Sequence, residues 1–438
     1  MSLVPDKYDA PRKLAATGER NFHAMAKPAG ARCNLDCTYC FYLSKETLPG
    51  GPAAGRAGAD GLGAGDMNAD TLERFVRQYI AGVTGPEVIF SWQGGEPTLR
   101  GLAFFEEVVA LQKKHARPGQ RIENDLQTNG VLIDEAWARF LKDNRFLVGL
   151  SIDGPRALHD PFRVNKGGAP TFDKVMNAAA LLRRFGVPFN ALVSVHRGNA
   201  KKPLDVYRFL RRELGVTVIQ LVPIVEPRGF ETTAPQAHDS ARAPLLGSPQ
   251  ARPEHADSIV TDWSVDPDDW GSFLSRVFDE WRRKDLGTAL VTHFETLVAR
   301  RLGLPAQICI YAETCGKAVV VEHDGSVFSC DHYVYPEHRL GNLHEATLAD
   351  LVFSRAQVMF GYAKSDRLPA YCRGCEALAD CWGECPRNRL IRTPDGEPGL
   401  NYLCAGLKRF FRHAGPVADE IAADLRPRTP AFAPRRDA

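Results

Sequence analysis

Between residues 21 and 225 the chain alternates two hydrophobic periodicities. Short apolar runs, "NFHAMAKP", "EVIFSWQ", "ENDLQTN", "FLVGLSID", "FNALVSV" and "VIQLVPIV", read as strands. Between them apolar residues recur at helical spacing. Leu72, Phe75, Val76, Tyr79 and Ile80 follow a candidate N-cap, Asn68, and Phe172, Val175, Met176, Ala179 and Leu182 lie between Thr171 and Gly186. Strands alternating with helices predict a parallel sheet with right-handed crossovers. Six such units suffice for a curled, partly closed β/α barrel. A flat doubly wound sheet is the alternative that periodicity leaves open.

Outside this region the pattern changes. Residues 49–66 are rich in Gly and Ala and read as a mobile loop, and 227–257 read as an irregular insertion without periodicity. A helix is expected from about Asp268 to Arg283. From Ile308 to Cys404 the segments are short and rich in turns, and the tail "RPRTPAFAPRRDA" reads as disordered. The expected organisation is an N-terminal extension (1–20), a barrel (21–226), the insertion (227–257), a helical linker (258–304), a cysteine-rich domain (305–410) and a C-terminal helix with the tail (411–438).

Composition narrows the class. The 438 residues are 44% hydrophobic and 25% charged, with a formal net charge of +2. That is ordinary for a globular protein, and nothing in it calls for nucleic acid or an anionic membrane as partner. No apolar h-region opens the chain and no run approaches the ~18 apolar residues of a membrane span. A cytoplasmic protein is expected, and its eleven cysteines are then metal ligands rather than disulfides.

Three of these, Cys33, Cys37 and Cys40, fall within eight residues as C-x3-C-x2-C, with none following until Cys309. A zinc site would want a fourth ligand, from His23 or a distant cysteine. A [4Fe-4S] cluster with three protein ligands explains the gap better, because its fourth iron stays open to chelate a small molecule. The triplet follows the first predicted strand. "QGGEP" (Gln93 to Pro97), "TNG" (Thr128 to Gly130) and "SIDG" (Ser151 to Gly154) follow or end the next three. All therefore share the rim where β/α barrels carry reactive groups.

The triplet, with Tyr39 before its last cysteine, resembles the radical S-adenosylmethionine (SAM) superfamily. The resemblance implies that the amino and carboxylate groups of SAM occupy the open iron, and that one electron cleaves SAM to methionine and a 5′-deoxyadenosyl radical. It implies that Gln93, Gly94, Gly95 and Glu96 form the segment binding the SAM amino group. Glycine there lets backbone carbonyls approach without a Cβ. Asn129, Ser151 and Arg163 match cofactor-contacting positions, with Ser151 and Arg163 at the ribose and the carboxylate; an arginine fork suits a carboxylate. Ile224 and Val225 would wall the adenine, or be plain core.

The other eight cysteines read C-x5-C-x14-C, a gap, then C-x2-C-x5-C-x3-C-x18-C. Taken alone, the second block fits zinc ribbons. After a radical SAM core it resembles a SPASM domain with two auxiliary [4Fe-4S] clusters. By that resemblance Cys309, Cys315, Cys330 and Cys385 hold the inner cluster, and Cys372, Cys375, Cys381 and Cys404 the outer. Full cysteine ligation suits electron transfer.

"CNLDCTYCFYLSKE", "FSWQGGEPTL", "DGSVFSCDHYVYPEHRLGN" and "CWGECPRNR" together resemble the anaerobic sulfatase-maturating enzymes over about residues 21 to 410. The resemblance implies oxidation of Cys or Ser in an unfolded or nascent sulfatase segment to Cα-formylglycine. It also implies three [4Fe-4S] clusters, SAM, a reducing donor such as flavodoxin or ferredoxin, and Asp331 as base. The two insertions depart from the family pattern. The rival readings are a SPASM maturase making thioether or carbon–carbon crosslinks, and a zinc-ribbon binding protein without catalysis.

Overall fold

The computed structural model describes residues 20–46, 65–238 and 242–426, together with Lys7, Tyr8, Pro11, Ala15, Ala16 and Gly18. The loop expected at 49–66 lies outside the described residues except for its last two, as does the tail beyond Arg426.

The six predicted strands form as β1 (His23–Lys27), β2 (Glu87–Trp92), β3 (Arg121–Thr128), β4 (Leu147–Ser151), β5 (Phe189–Val195) and β6 (Val218–Pro223). They are parallel, and each pairs with the next in chain order. A doubly wound sheet reverses its order at a switch point. No reversal occurs here, so the winding is that of the partial barrel. Helices α1 (Ala69–Gly82), α2 (Gly101–His115), α3 (Glu135–Asp143), α4 (Phe172–Phe185) and α5 (Pro203–Arg208) lie in the crossovers. Asn68 caps α1, its side chain accepting from Thr71 N at 2.8 Å. Thr171 does not cap α4. Asp160 does so from outside the helix, accepting from Thr171 N at 3.1 Å and Phe172 N at 2.9 Å. Gly186 ends the helix in the left-handed region, at φ 68°.

The expected helix near 268–283 is α6 (Pro267–Lys284), capped by Asp266. After it come β7 (Leu290–Val291), which pairs with β6, and α7 (Thr292–Arg301). The cysteine-rich half adds β8 (Ala318–Glu322) along the free edge of β1, in parallel register from His23–Ala318 to Lys27–Glu322. Strands β9 (Ser326–Phe328) and β10 (Arg339–Asn342) extend it antiparallel. One ten-stranded sheet therefore runs through both halves. The turn-rich reading of 308–404 missed these strands because they are only three to five residues long.

Two further helices, α8 (Arg355–Asp366) and α9 (Cys404–Leu425), complete the frame. The core under β1–β4 is aromatic, with Phe75, Phe90, Trp92 and Phe105 fully buried. Around β5–β7 it is built from Trp270, Phe278 and Trp281 of α6, Phe294 of α7 and Phe410 of α9. Helices α6 and α9 cross backbone to backbone. A Cβ on Gly406 would lie 1.8 Å from the carbonyl oxygen of Pro267, so only glycine fits. No helix among the described residues is long and apolar enough to cross a membrane.

Candidate functional site

The loop leaving β1 carries Cys33, Cys37 and Cys40 and is fastened to the turn after β2 by backbone. Gly95 N donates to Gly30 O, and Glu96 N to Arg32 O, both at 2.8 Å. A Cβ on Gly95 would meet Arg32 O at 1.9 Å, so this glycine is demanded by the cluster loop itself. Gly94 sits beside it at φ 135°. Gln93 N donates to Ala26 O on β1 at 3.0 Å. The buried carboxylate of Glu96 accepts from Thr98 N (3.0 Å), Thr98 Oγ1 (2.6 Å), Thr128 Oγ1 (2.8 Å) and Asn129 N (2.8 Å). Its side chain buckles the second and third rim loops together, which leaves its backbone as the part able to face a ligand. Asn129 Nδ2 in turn donates to Asn34 Oδ1 at 2.8 Å and lies 3.7 Å from Cys33 Sγ.

Burial pushes the Cys33 thiol up to about 11 and the Cys37 thiol up to about 12, and raises that of Cys40. Cys40 raises Cys33 and Cys37 further, while Arg163 pulls against the rise at Cys37 and Cys40. Thiolates here need a cation to compensate them, which is what iron would provide. Arg163 stands beside this loop. Its Nε lies 3.1 Å from Asp153 Oδ1, its Cζ 5.6 Å from the Tyr39 ring centre, and its Nη2 3.5 Å from Ser194 Oγ. Burial opposes its charge, but Asp153, Tyr39 and Cys37 hold it protonated. Burial likewise opposes ionised Asp153, and Arg163 wins, keeping that carboxyl below its usual range. Tyr39 is buried, donates its hydroxyl to Asp153 and stacks on His196 at 5.4 Å. The tyrosine thus clamps the cluster loop to the ends of β4 and β5. Ser151 closes β4 opposite Leu192, and Ile224 and Val225 are buried just beyond β6. Ser151 at the end of β4, Arg163 in the loop after it with its guanidinium near Ser194 of β5, and the three cysteines after β1 therefore lie on one rim.

In the other half the cysteines sort into two sets. Cys372, Cys375, Cys381 and Cys404 line one cavity with Leu378, Leu400 and Phe411. Burial pushes Cys404 up to about 12, and Cys372 and Cys375 are its thiol neighbours. In the second set, burial raises Cys330, which then feels Cys385 and Cys309; Cys315, pushed up to about 11, feels Cys309. Lys364, itself buried, donates to Cys309 O at 2.6 Å and Ile310 O at 2.7 Å. Among the described residues, no three His, Cys, Asp or Glu side chains converge tightly enough for a single metal ion.

Asp331 follows Cys330 in a single turn of 3-10 helix and forms an ion pair with Lys27, the last residue of β1. Lys27 is buried and Asp331 21% exposed. Burial favours the neutral acid, but Lys27 and His332 overcome it and hold the carboxyl below its usual range. The ammonium of Lys27 also lies 4.1 Å from the Tyr42 ring centre, and Tyr42 donates to Glu322. On the other side Arg387 pairs with Glu226, its Nη2 donates to Val225 O at 3.0 Å, and its Nη1 meets His332 Nδ1 at 2.6 Å. Sequence reasoning missed Lys27, Tyr42, Asp153 and Arg387. The signal for Lys27 was a lysine ending an otherwise apolar strand; the others gain meaning only from the fold.

The chain resembles known proteins over most of its length. The radical SAM superfamily model matches residues 28–210, and the SPASM iron–sulfur cluster-binding domain model matches 309–376. A serine-type anaerobic sulfatase-maturating enzyme of Bacteroides thetaiotaomicron is 41% identical over 92% of each chain. A cysteine-type enzyme of Clostridium perfringens is 33% identical over 92% of this chain and 98% of its own. The solved structure of native anSMEcpe with bound AdoMet and Cp18Cys peptide matches at TM-score 0.75 and 33% identity, covering 92% of this chain and 99% of that one. Streptococcus suis SuiB bound to precursor peptide SuiA, at 15% identity and TM-score 0.55 over 91% of this chain and 79% of that one, shares the fold.

Proposed function

Because the chain belongs to the anaerobic sulfatase-maturating enzymes of the radical SAM superfamily, we propose that it oxidises a Cys or Ser side chain of a sulfatase polypeptide to Cα-formylglycine. The observation that carries this reading is the Lys27–Asp331 ion pair. It ties the strand that leads into the Cys33–Cys40 loop to the residue after Cys330, and so sets one ionised carboxylate between two thiol-rich centres.

Cys33, Cys37 and Cys40 would hold the first of three four-iron clusters, Cys309, Cys315, Cys330 and Cys385 the second, and Cys372, Cys375, Cys381 and Cys404 the third. When bound, SAM and the clusters would supply a hydrogen-atom acceptor and an electron acceptor. The chain's own work is to bind and to move the proton. Arg163, Ser151, Asn129 and the backbone of Gln93 to Glu96 would hold SAM, and Ile224 and Val225 would wall its adenine. Turning CH2OH into CHO removes two hydrogens. One leaves as an atom; the other leaves as a proton and an electron. Asp331 takes the proton, and Lys27 keeps it ionised and aimed beforehand. A cysteine substrate loses the same two hydrogens to give a thioaldehyde, which takes up water and releases hydrogen sulfide. The substrate binds as an unfolded or nascent segment, and a small redox protein such as flavodoxin or ferredoxin supplies the starting electron.

The test is anaerobic incubation of the reconstituted protein with SAM, reductant and paired Cys and Ser sulfatase peptides, read by mass spectrometry. Formylglycine in either peptide is the expected product. A crosslink mass, or two unmodified peptides alongside reductive SAM cleavage, would overturn the reading.

A further inference from the structure

Two arginines two residues apart stand in opposite electrostatic situations. Arg387 is paired with Glu226. Arg389 donates one hydrogen bond, from Nη2 to Trp382 O at 3.2 Å, and its Nε is buried without a partner. None of its hydrogen bonds or ion pairs with described residues involves a carboxylate. A buried guanidinium without an anion is expensive.

The ionisable neighbours of Arg389 are mostly thiols. The guanidinium lies against Gly383, whose Cβ, if present, would sit 2.8 Å from Nη2. Gly383 lines the cavity shared by Cys372, Cys375, Cys381 and Cys404. It is also the middle of a tripeptide, Trp382–Gly383–Glu384, with φ of 46°, 67° and 50°, that joins Cys381 of that set to Cys385 of the other. The acid of this tripeptide is engaged elsewhere: Glu384 Oε2 accepts from Asn401 Nδ2 at 2.7 Å and Asn388 Nδ2 at 3.0 Å. Burial weakens the charged form of Arg389, and the groups that oppose this in part are Cys372, Cys385, Tyr333 and Cys315, the cysteines drawn from both sets.

We propose that Arg389 is the shared counter-cation of the two auxiliary clusters, a positioning residue that raises the reduction potential of both. The inference rests on the reading above that these eight cysteines carry two clusters. Each cluster gains negative charge on reduction, and a fixed positive charge in a dry site favours the reduced form. Arginine suits the place because it does not lose its proton when buried.

The experiment is a redox titration followed by electron paramagnetic resonance. It uses the full chain with Cys33, Cys37 and Cys40 replaced by Ala, so that only auxiliary clusters contribute, and adds Arg389→Gln or Arg389→Lys. Iron content is measured in parallel. In the Gln variant, with iron unchanged, both potentials should fall by about a tenfold change in the reduction constant, ~59 mV for one electron. The Lys variant should recover most of that fall. Unchanged potentials, or a fall in one cluster alone, would overturn the shared role. Loss of iron from the Gln variant with retention in the Lys variant would support it, and loss from both would make Arg389 a purely structural residue. A parent chain that takes up no auxiliary iron would instead sink the two-cluster reading beneath the proposal.

Discussion

Cys33, Cys37 and Cys40 come from one eight-residue stretch, whereas Cys404 reaches the outer cavity from a helix that starts 23 residues after Cys381. The first loop is shaped by its neighbours' backbone, through the bonds of Gly95 and Glu96 to Gly30 and Arg32. The outer cavity is shaped by a helix crossing, where Gly406 of α9 lies against Pro267 of α6. The charges differ as well. Beside the first loop, Arg163 is matched by Asp153, while between the later sets Arg389 has no carboxylate. A local ligand set with a balanced neighbour can keep one position open for a substrate. A set gathered from distant segments and closed by four thiols suits passing electrons.

The largest effect separates the two regions outright. Replacing Cys33, Cys37 and Cys40 with Ala should abolish reductive SAM cleavage and leave about eight of about twelve irons per chain. Cleavage surviving in that variant, assayed as 5′-deoxyadenosine, would move the SAM site elsewhere.

Next comes the residue between the regions. Asp331→Asn should lower formylglycine yield by about 10²–10⁴-fold, a typical loss for a general base, while SAM cleavage persists. Deuterium from a Cβ-labelled peptide should still reach 5′-deoxyadenosine, because hydrogen abstraction precedes the proton step. The Asn variant strands the buried Lys27 ammonium, which is itself destabilising. Asp331→Asn combined with Lys27→Met removes that complication. Equal loss in single and double variants assigns the effect to the missing base; recovery in the double variant would assign it to the stranded charge.

The first region was far more legible in the sequence than the second. Cysteine spacing, glycine motifs and strand periodicity are local signals, and all fell on one rim. Asn68 capped its helix as read. At the start of α4 the acceptor is Asp160, eleven residues before Thr171, a partner that periodicity does not show. Strands β8 to β10 were hidden by their brevity; β8 joins the sheet along the edge of β1, a partner nearly three hundred residues earlier. The partners that set the charge of the named residues, Lys27 for Asp331 and Asp153 for Arg163, sit at strand ends where sequence gives a residue type without its direction. The reading of "GGEP" as ligand-facing glycines overlooked that Gly95 is required by the loop's own backbone.

A pair of glycine substitutions tests whether the regions are built independently. Gly406→Ala forces a methyl to within 1.8 Å of Pro267 O and should push the start of α9 away. The expected cost is about 1–3 kcal/mol of stability, with iron lost from the outer set while SAM cleavage continues. Gly95→Ala, whose Cβ would meet Arg32 O at 1.9 Å, should do the reverse: SAM cleavage falls and auxiliary iron stays. Iron content and cleavage falling together in both variants would mean that the halves form one cooperative unit.

The smallest effect concerns the seam between the regions. Lys45, shortly after the cluster loop, is buried with its ammonium 3.4 Å from the ring centre of Tyr335 in the other half, and that nitrogen has no hydrogen-bond partner. Burial pulls its pKa down to about 7, against the opposing pull of Glu226. In the unfolded chain an ordinary lysine titrates near ~10.4. Above that pH both states are neutral and the residue contributes no pH-dependent difference. Between the two values the unfolded chain binds the extra proton, so stability should rise with pH from about 7 toward about 10. Below about 7 both states are charged and the folded one bears the full burial cost. Lys45→Met removes that cost and with it the contact to Tyr335, a contact that itself offsets part of the burial penalty. Lys45→Met should therefore be stabilising at pH 6.5, by a margin that falls as pH rises through the window between about 7 and ~10.4. Urea denaturation of both proteins at pH 6.5 and pH 9.5 measures it. A stability difference that stays constant between the two pH values would mean that the Lys45 ammonium is solvated in the folded protein and that the seam carries no buried charge at this position.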